Sequence, residues 1–236
     1  APPDPDANGD GVLDVLVLGS SRSLGSSGAA FDPAPVAAEL QRILTDDESI
    51  EVAVNVVAED IHLSKDVLTG YGQGGEEYEW TYYGHSLVQY LFWPDGQAPR
   101  LANLAGEGEA DWDQVVIAGD PYILSTMPGY YALGAGKIAA LAFEGGAQPR
   151  LLMPWPQDES TASIEHLAEF VSRAADGAPI SLPVVPVALA WNALDADLKD
   201  SAAVHPTPNG AYLAAAAIYS PLYGRSAALS AYDYDN

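Results

Sequence analysis

The chain has 236 residues, 48% of them hydrophobic, and its 33 Asp and Glu against 9 Lys and Arg give a formal net charge of -24. An exterior of that sign repels phosphate backbones and anionic lipid surfaces, which argues against nucleic acid and membrane partners. No cysteine is present, so disulfides and thiolate metal sites are excluded and stability must come from packing.

The opening Ala1-Pro2-Pro3-Asp4-Pro5 reads as a linker or a trimmed mature end, because its prolines stay extended and resist pairing. With no apolar run of membrane-spanning length and no basic-then-apolar leader, this suggests a secreted or extracytoplasmic protein. "VLDVLVLG" is a β-branched, nearly all-apolar run that predicts a strand covered on both faces. Pro35 to Leu44 then places Val36, Leu40, Ile43 and Leu44 at helical spacing. "SIEVAVNVVAED" predicts a second strand, and Val115 to Ala118, ending on Gly119-Asp120, a third. Between them, the Gly-, Tyr-, Trp- and Glu-rich stretch from Lys65 to Ala110 reads as an excursion over the sheet rim with one helical piece, "GHSLVQYLFW". "PRLLMPW" predicts a fourth strand, Ser163 to Ala175 a helix, "ISLPVVPVALAW" a short or edge fifth strand, and a last helix begins near Pro208.

Alternation of this kind predicts an α/β protein, a three-layer α/β/α sandwich around a mainly parallel, flavodoxin-like sheet. Its functional groups belong on the loops after the strands. Residues 1–14 read as an amino-terminal linker and loop, and 15–236 as one domain.

Within that loop, "DANGDGVLD" spaces Asp6, Asn8, Asp10 and Asp14 at relative positions 1, 3, 5 and 9, with the Val12 carbonyl at position 7. Alternate oxygens pointing inward suit Ca2+, a hard cation. Val17 stands where an EF-hand has its bidentate Glu, so this is no EF-hand. The nine residues resemble the short calcium loops of FG-GAP and VCBS-type repeats, which implies a structural Ca2+ pinning the amino terminus. The alternative is an ordinary polar turn of turn-favouring residues.

A serine at the end of the first strand can present its hydroxyl at the sheet's rim, but it needs a base. Of the four histidines, His166 falls in a predicted helix and His62 and His85 in the irregular region; His205 lies just before a helix, in a loop stiffened by Pro206 and Pro208. "VLGSSRS" and "AVHPTPNGAYLAAAAIYSPLYG" resemble the first and last blocks of the SGNH, or GDSL-like, hydrolases, and "GGAQPRLLMPW" and "VPVALAW" between them are also similar to that superfamily. The resemblance implies Ser21 as nucleophile, His205 as general base and an acyl or acetyl ester, that of a carbohydrate included, as substrate. No organic cofactor is implied. It also sets Gly19, Arg22, Gly119 and Asp120 at the oxyanion or substrate-binding rim. Arg22 there either holds an anionic substrate group or pairs with a neighbouring carboxylate.

The chain departs from the pattern in two places. Ala202 stands three residues before His205, where the family has its orienting Asp, leaving Asp200 as the nearest substitute. Gly119-Asp120 replaces a Gly-x-Asn block, and a carboxylate there repels an oxyanion unless it is protonated or turned away. These departures keep open a catalytically impaired SGNH-like binding module. "LGSSRSLGSS" and "IAGDPYILSTMPG" also resemble the flavin loops of flavodoxin-like FMN reductases, although that leaves "HPTPNGAYLAA" unexplained. The α/β-hydrolase elbow G-x-S-x-G fails, because Ser23 stands where its second Gly is required.

Overall fold

Five parallel strands run in the order β2-β1-β5-β6-β7: β1 Val12–Gly19, β2 Ala53–Asp60, β5 Gln114–Gly119, β6 Gln148–Leu152 and β7 Val184–Val185. The computed structural model describes residues 6–25, 35–61, 63–71, 77–84, 86–92, 111–156, 163–194, 198–199 and 205–227. Strand β1 lies inside the sheet because its apolar residues serve both faces. Leu13, Val15 and Val17 join one buried cluster and Leu16 and Leu18 the other, each side chain worth roughly 1.5–3 kcal/mol of burial. The strand begins at Val12, so the division expected after residue 14 falls within it.

Helices α2 (Pro35–Thr45) and α8 (Pro208–Tyr223) cover the first face. Helices α3 (Leu87–Phe92), α5 (Pro128–Glu144) and α6 (Ile164–Asp176) cover the second. The α/β/α sandwich expected from the alternation is therefore present. Two short helices begin at the carboxyl ends of central strands: α1 (Ser21–Leu24) after β1 and α4 (Pro121–Thr126) after β5.

Two segments differ from the sequence reading. The run "ISLPVVPVALAW" gives only the two-residue β7; beyond Pro186 the chain turns into helix α7 (Val187–Asn192), which seats Trp191 flat on Trp155 with ring centroids 4.1 Å apart. A short apolar run has no period that separates strand from buried helix, and the missing N–H of Pro186 favours the break. Across the start of the excursion predicted from Lys65, Leu63–Tyr71 (β3) and Glu77–Gly84 (β4) pair as a separate antiparallel two-stranded sheet.

In a doubly wound sheet of this order the chain leaves β1 in opposite directions on its two sides, and the loops at the carboxyl ends of β1 and β5 flank a crevice. Ser21 and Asp120 stand at those two ends.

Candidate active site

The turn after β1 is built by close approach. A Cβ on Gly19 would lie 2.4 Å from Ser23 Oγ and 2.8 Å from Leu24 Cγ, so only glycine leaves room for the chain to fold back into α1. Ser20 starts that helix: its carbonyl accepts from Ser23 N and Leu24 N at 3.0 Å, and its hydroxyl accepts from Arg22 N at 3.3 Å. Ser23, wholly buried, donates its hydroxyl to the Gly119 carbonyl at 2.7 Å and accepts from Ser20 N at 3.0 Å. One buried hydroxyl thus ties the ends of β1 and β5 together, with Ser21 in the first position of the helix between them. Gly119 has φ +61°, and a Cβ there would meet Tyr131 Cε2 at 2.4 Å.

Asp120 is 2% exposed. Its Oδ1 accepts from Tyr122 N at 2.8 Å and Ile123 N at 3.3 Å, capping α4, where the helix's unsatisfied N–H groups and positive dipole end stabilise a carboxylate. Arg22 Nη1 lies 4.0 Å from that oxygen, and the guanidinium stands 5.9 Å from the Tyr122 ring centroid. The carboxylate at the rim is turned onto a helix end and toward a cation. Of the two roles expected for Arg22, carboxylate pairing is the one these contacts display.

The His205 loop reaches this rim from the carboxyl-terminal part of the chain. Pro206 pairs with Lys199 as an isolated antiparallel bridge, Thr207 N donates to Leu198 O at 2.9 Å, and Lys199 Nζ donates to Pro156 O at 3.4 Å. Thr207 caps α8 by accepting from Gly210 N at 3.3 Å, with Pro208 in the first turn, where its missing N–H costs nothing. On the other side Pro206 rests on Gly25: a Cβ at that position, φ +76°, would lie 2.8 Å from Pro206 Cγ. Gly25 is the residue that follows α1, four positions along the chain from Ser21. His205, adjoining Pro206 at about 3.8 Å between Cα atoms, is partly exposed at the same edge. Two segments from opposite ends of the chain therefore meet where the topology places a crevice. Asp200, Ala202, His62 and His85 lie outside the described residues.

The amino-terminal loop is organised by a residue the sequence reading passed over. Asp113, buried before β5, accepts from Ala7 N and Asn8 N through Oδ1 at 2.8 and 3.2 Å, and from Asp14 N through Oδ2 at 2.9 Å. Burial pushes this carboxyl above its ordinary value; the three N–H groups oppose the shift and the nearby Asp6 charge adds to it. Asp6 accepts from Gly9, Asp10 and Gly11 N–H groups, Asn8 Oδ1 from Asp10 N, and Asp10 Oδ1 from Val12 N. Asp14 turns instead to Asn55, accepting from its Nδ2 at 2.6 Å. Among the described residues no three of His, Cys, Asp or Glu gather as a group able to hold a metal ion, and the loop oxygens of Asp6, Asn8 and Asp10 accept from the loop's own N–H groups. No helix among them is long and apolar enough to cross a membrane.

No family model matches the sequence, and no curated protein matches it. Among solved structures, the fold is similar to that of a protein from Slackia heliotrinireducens assigned as an SGNH hydrolase, with 23% identity over 87% of this chain and 96% of that one and a TM-score of 0.60. It is also similar to a lipase/acylhydrolase from Enterococcus faecalis, at 17% identity, 90% and 96% coverage and a TM-score of 0.58. A variant of an acetyl-xylooligosaccharide esterase from Geobacillus matches at 12% identity, 94% and 95% coverage and a TM-score of 0.57. The five-stranded parallel sheet with helices on both faces is the SGNH hydrolase fold.

Proposed function

We propose that the chain is a serine ester hydrolase of SGNH type, with Ser21 as nucleophile and His205 as general base. The observation that carries this reading is the contact of Pro206 with Gly25, which brings the histidine's loop against the helix that starts at Ser21. In the reaction Ser21 Oγ attacks the ester carbonyl carbon while His205 takes the hydroxyl proton. The tetrahedral oxyanion collapses, the C–O bond to the alcohol breaks, and the alcohol leaves with the proton from His205. Water, deprotonated by the same imidazole, then releases the acid and restores Ser21.

An acyl or acetyl ester is the substrate class, and the similarity in fold to an acetyl-xylooligosaccharide esterase supports a carbohydrate alcohol. Tyr122, exposed beside Arg22, is the surface against which a sugar or acyl chain rests in this reading. The expected Ca2+ at Asp6, Asn8, Asp10, Val12 and Asp14 is proposed only as a structural clamp, since its pattern is in the sequence while the loop oxygens here serve N–H groups. An oxygen that accepts an N–H keeps lone pairs that a cation can share. A Tm that rises in Ca2+ over chelator supports the clamp, and superimposable curves refute it. Secretion is likewise proposed from the sequence alone.

A second reading is a binding module that has lost turnover. The commitment of Asp120 to the α4 cap and Arg22 favours it, because no side-chain amide stands at that position to receive an oxyanion. Fluorophosphonate labelling and release from a short-chain aryl ester separate the two. Labelling of the native protein that disappears in Ser21→Ala, with turnover lost in His205→Ala, supports the hydrolase. A folded native protein that neither labels nor hydrolyses refutes it.

A further inference from the structure

The two edges of the parallel sheet differ. One is the two-residue β7, set between Pro183 and Pro186, and so short an edge flanked by prolines offers almost nothing to a further strand. The other is β2, eight residues long, whose outer side pairs with no other described strand. The run from Val52 to Ala58, VAVNVVA, is β-branched or small at every position but Asn55 and contains no charge, Pro or Gly. That composition, on an open edge, is the one that most readily pairs with a strand of another chain.

A single side chain closes the middle of this edge. Ala53 N and Ile61 N donate toward β1, to Gly11 O and Gly19 O, so alternation turns the backbone groups of Val54, Val56 and Ala58 to the open side. Gln41 of α2 reaches them: its Nε2 donates to Val54 O at 2.8 Å and its Oε1 accepts from Val56 N at 2.7 Å. A residue of a neighbouring parallel strand makes the same two bonds, to the C=O of one residue and the N–H two positions on. The amide thus fills one rung of a ladder that has no strand. It is held in place by Thr45, whose Oγ1 accepts from Nε2 at 3.1 Å and donates to Gln41 O at 2.7 Å.

The surroundings of that rung suit a second copy of the chain. Ala38, Gln41 and Thr45 lie at i, i+3 and i+7 on the side of α2 that meets the edge, and none is charged. An antiparallel partner related by a two-fold axis at Val54 sets Val52 against Val56 and Ala53 against Asn55, with no charge facing a charge. Elsewhere the net charge of -24 repels another copy. The neutral edge is where two copies can approach, and Gln41 stands in the way.

We infer that the β2 edge is a latent self-association surface, at which two copies pair strand to strand about a two-fold axis, and that Gln41 keeps the chain monomeric by occupying it. The inference is independent of the ester chemistry proposed above, and its test does not read activity.

Sedimentation velocity compares the native chain with Gln41→Ala over a concentration series in about 0.5 M sodium chloride, which screens the acidic surface. A native dimer must give up the two bonds to Gln41 in each copy, four in all, so the alanine variant should dimerise at least ~30-fold more tightly. Hydrogen exchange locates the contact: the Val54, Val56 and Ala58 amides of the variant should gain protection as its concentration rises, and those of Val15 and Val17 in β1 should not. Adding Val56→Pro, which removes an outward N–H and none that bonds β1, should return the variant to monomer. If the proline variant does not fold, the exchange map still decides. A Gln41→Ala chain that stays monomeric wherever the native chain does, dimers protected at amides away from β2, or native dimers paired through β2 would each overturn the inference.

Discussion

Gly210→Ala tests whether the histidine's loop is held by backbone packing. Gly210 sits in the first turn of α8, and a Cβ there would lie 2.2 Å from the Leu198 carbonyl oxygen and 2.7 Å from Trp191 Cη2. Trp191 is stacked on Trp155, so the carbonyl must retreat by about 1 Å to reach ordinary contact distance. That carbonyl accepts from Thr207 N, and the next residue, Lys199, pairs with Pro206; the displacement is therefore passed to the residue adjoining His205. Overpacking of this kind costs about 1–3 kcal/mol, the weakened hydrogen bond about 1 more, and the helix preference of Ala over Gly returns about 1. A net loss of about 1–3 kcal/mol lowers Tm by roughly 2–10 °C at this chain length. If the loop presents the general base, an error of about 1 Å costs up to ~100-fold in kcat/KM. Gly136→Ala in α5 is the control, because its Cβ would find only Pro179 Cδ at 3.5 Å and Ala178 Cα at 3.7 Å, and should stabilise by about 0.5–1 kcal/mol. Urea unfolding and aryl-ester kinetics on both variants decide the matter. A Gly210→Ala protein as stable and as active as its Gly136→Ala counterpart refutes the reasoning.

Two further substitutions probe the groups around this frame. Asp120→Ala should cost about 1–3 kcal/mol in urea unfolding and Asp120→Asn under about 1, because Asn retains the α4 cap and the half-exposed Arg22 contributes little; equal losses would show that the ion pair dominates. Acid unfolding should depend on Asp47. Burial raises its pKa, but the hydroxyls of Tyr219 and Ser49, the Ser49 N–H and the charge of Arg225 outweigh this and leave it below its ordinary value, while the Tyr219 phenol is pushed up to about 12. A folded pKa below the unfolded one gives stability that is complete above the ordinary carboxylate range and lost as pH falls through the lowered value. Tyr219→Phe should shallow that acid loss of Tm while lowering Tm near neutrality, and an acid limb identical to the native one would refute the linkage.

The parts of the fold legible in the sequence are those whose signal is local. Five consecutive buried residues make β1 a run with no polar face, and Pro206, Thr207 and Pro208 announce both a stiff loop and a helix start beside His205. Helix α5 escaped notice although it has seventeen residues, because "PGYYALGAGKIAALAFE" is apolar around most of its circumference and carries three glycines, which blurs the 3.6-residue period. Of these glycines only Gly134 is explained by what it touches: a Cβ there would lie 2.7 Å from Val88 N in α3, whereas one on Gly129 would meet nothing within 4 Å. The candidate site divides in the same way. Ser21 and His205 are marked by neighbours in the sequence, whereas Ser23 and Asp113 act on groups far along the chain, Gly119 O and the N–H groups of residues 7, 8 and 14. A buried hydroxyl or carboxylate whose partners are backbone N–H or C=O groups leaves no pattern in side-chain spacing. Asp120 shows the converse: its position after β5 was legible, but the direction of its carboxylate was settled by the α4 N–H groups, which a linear reading does not orient. The carboxylate that would oppose an oxyanion at this rim is thereby the one that fixes the helix carrying Tyr122, so the departure from the family pattern has a structural use whether or not Ser21 turns over an ester.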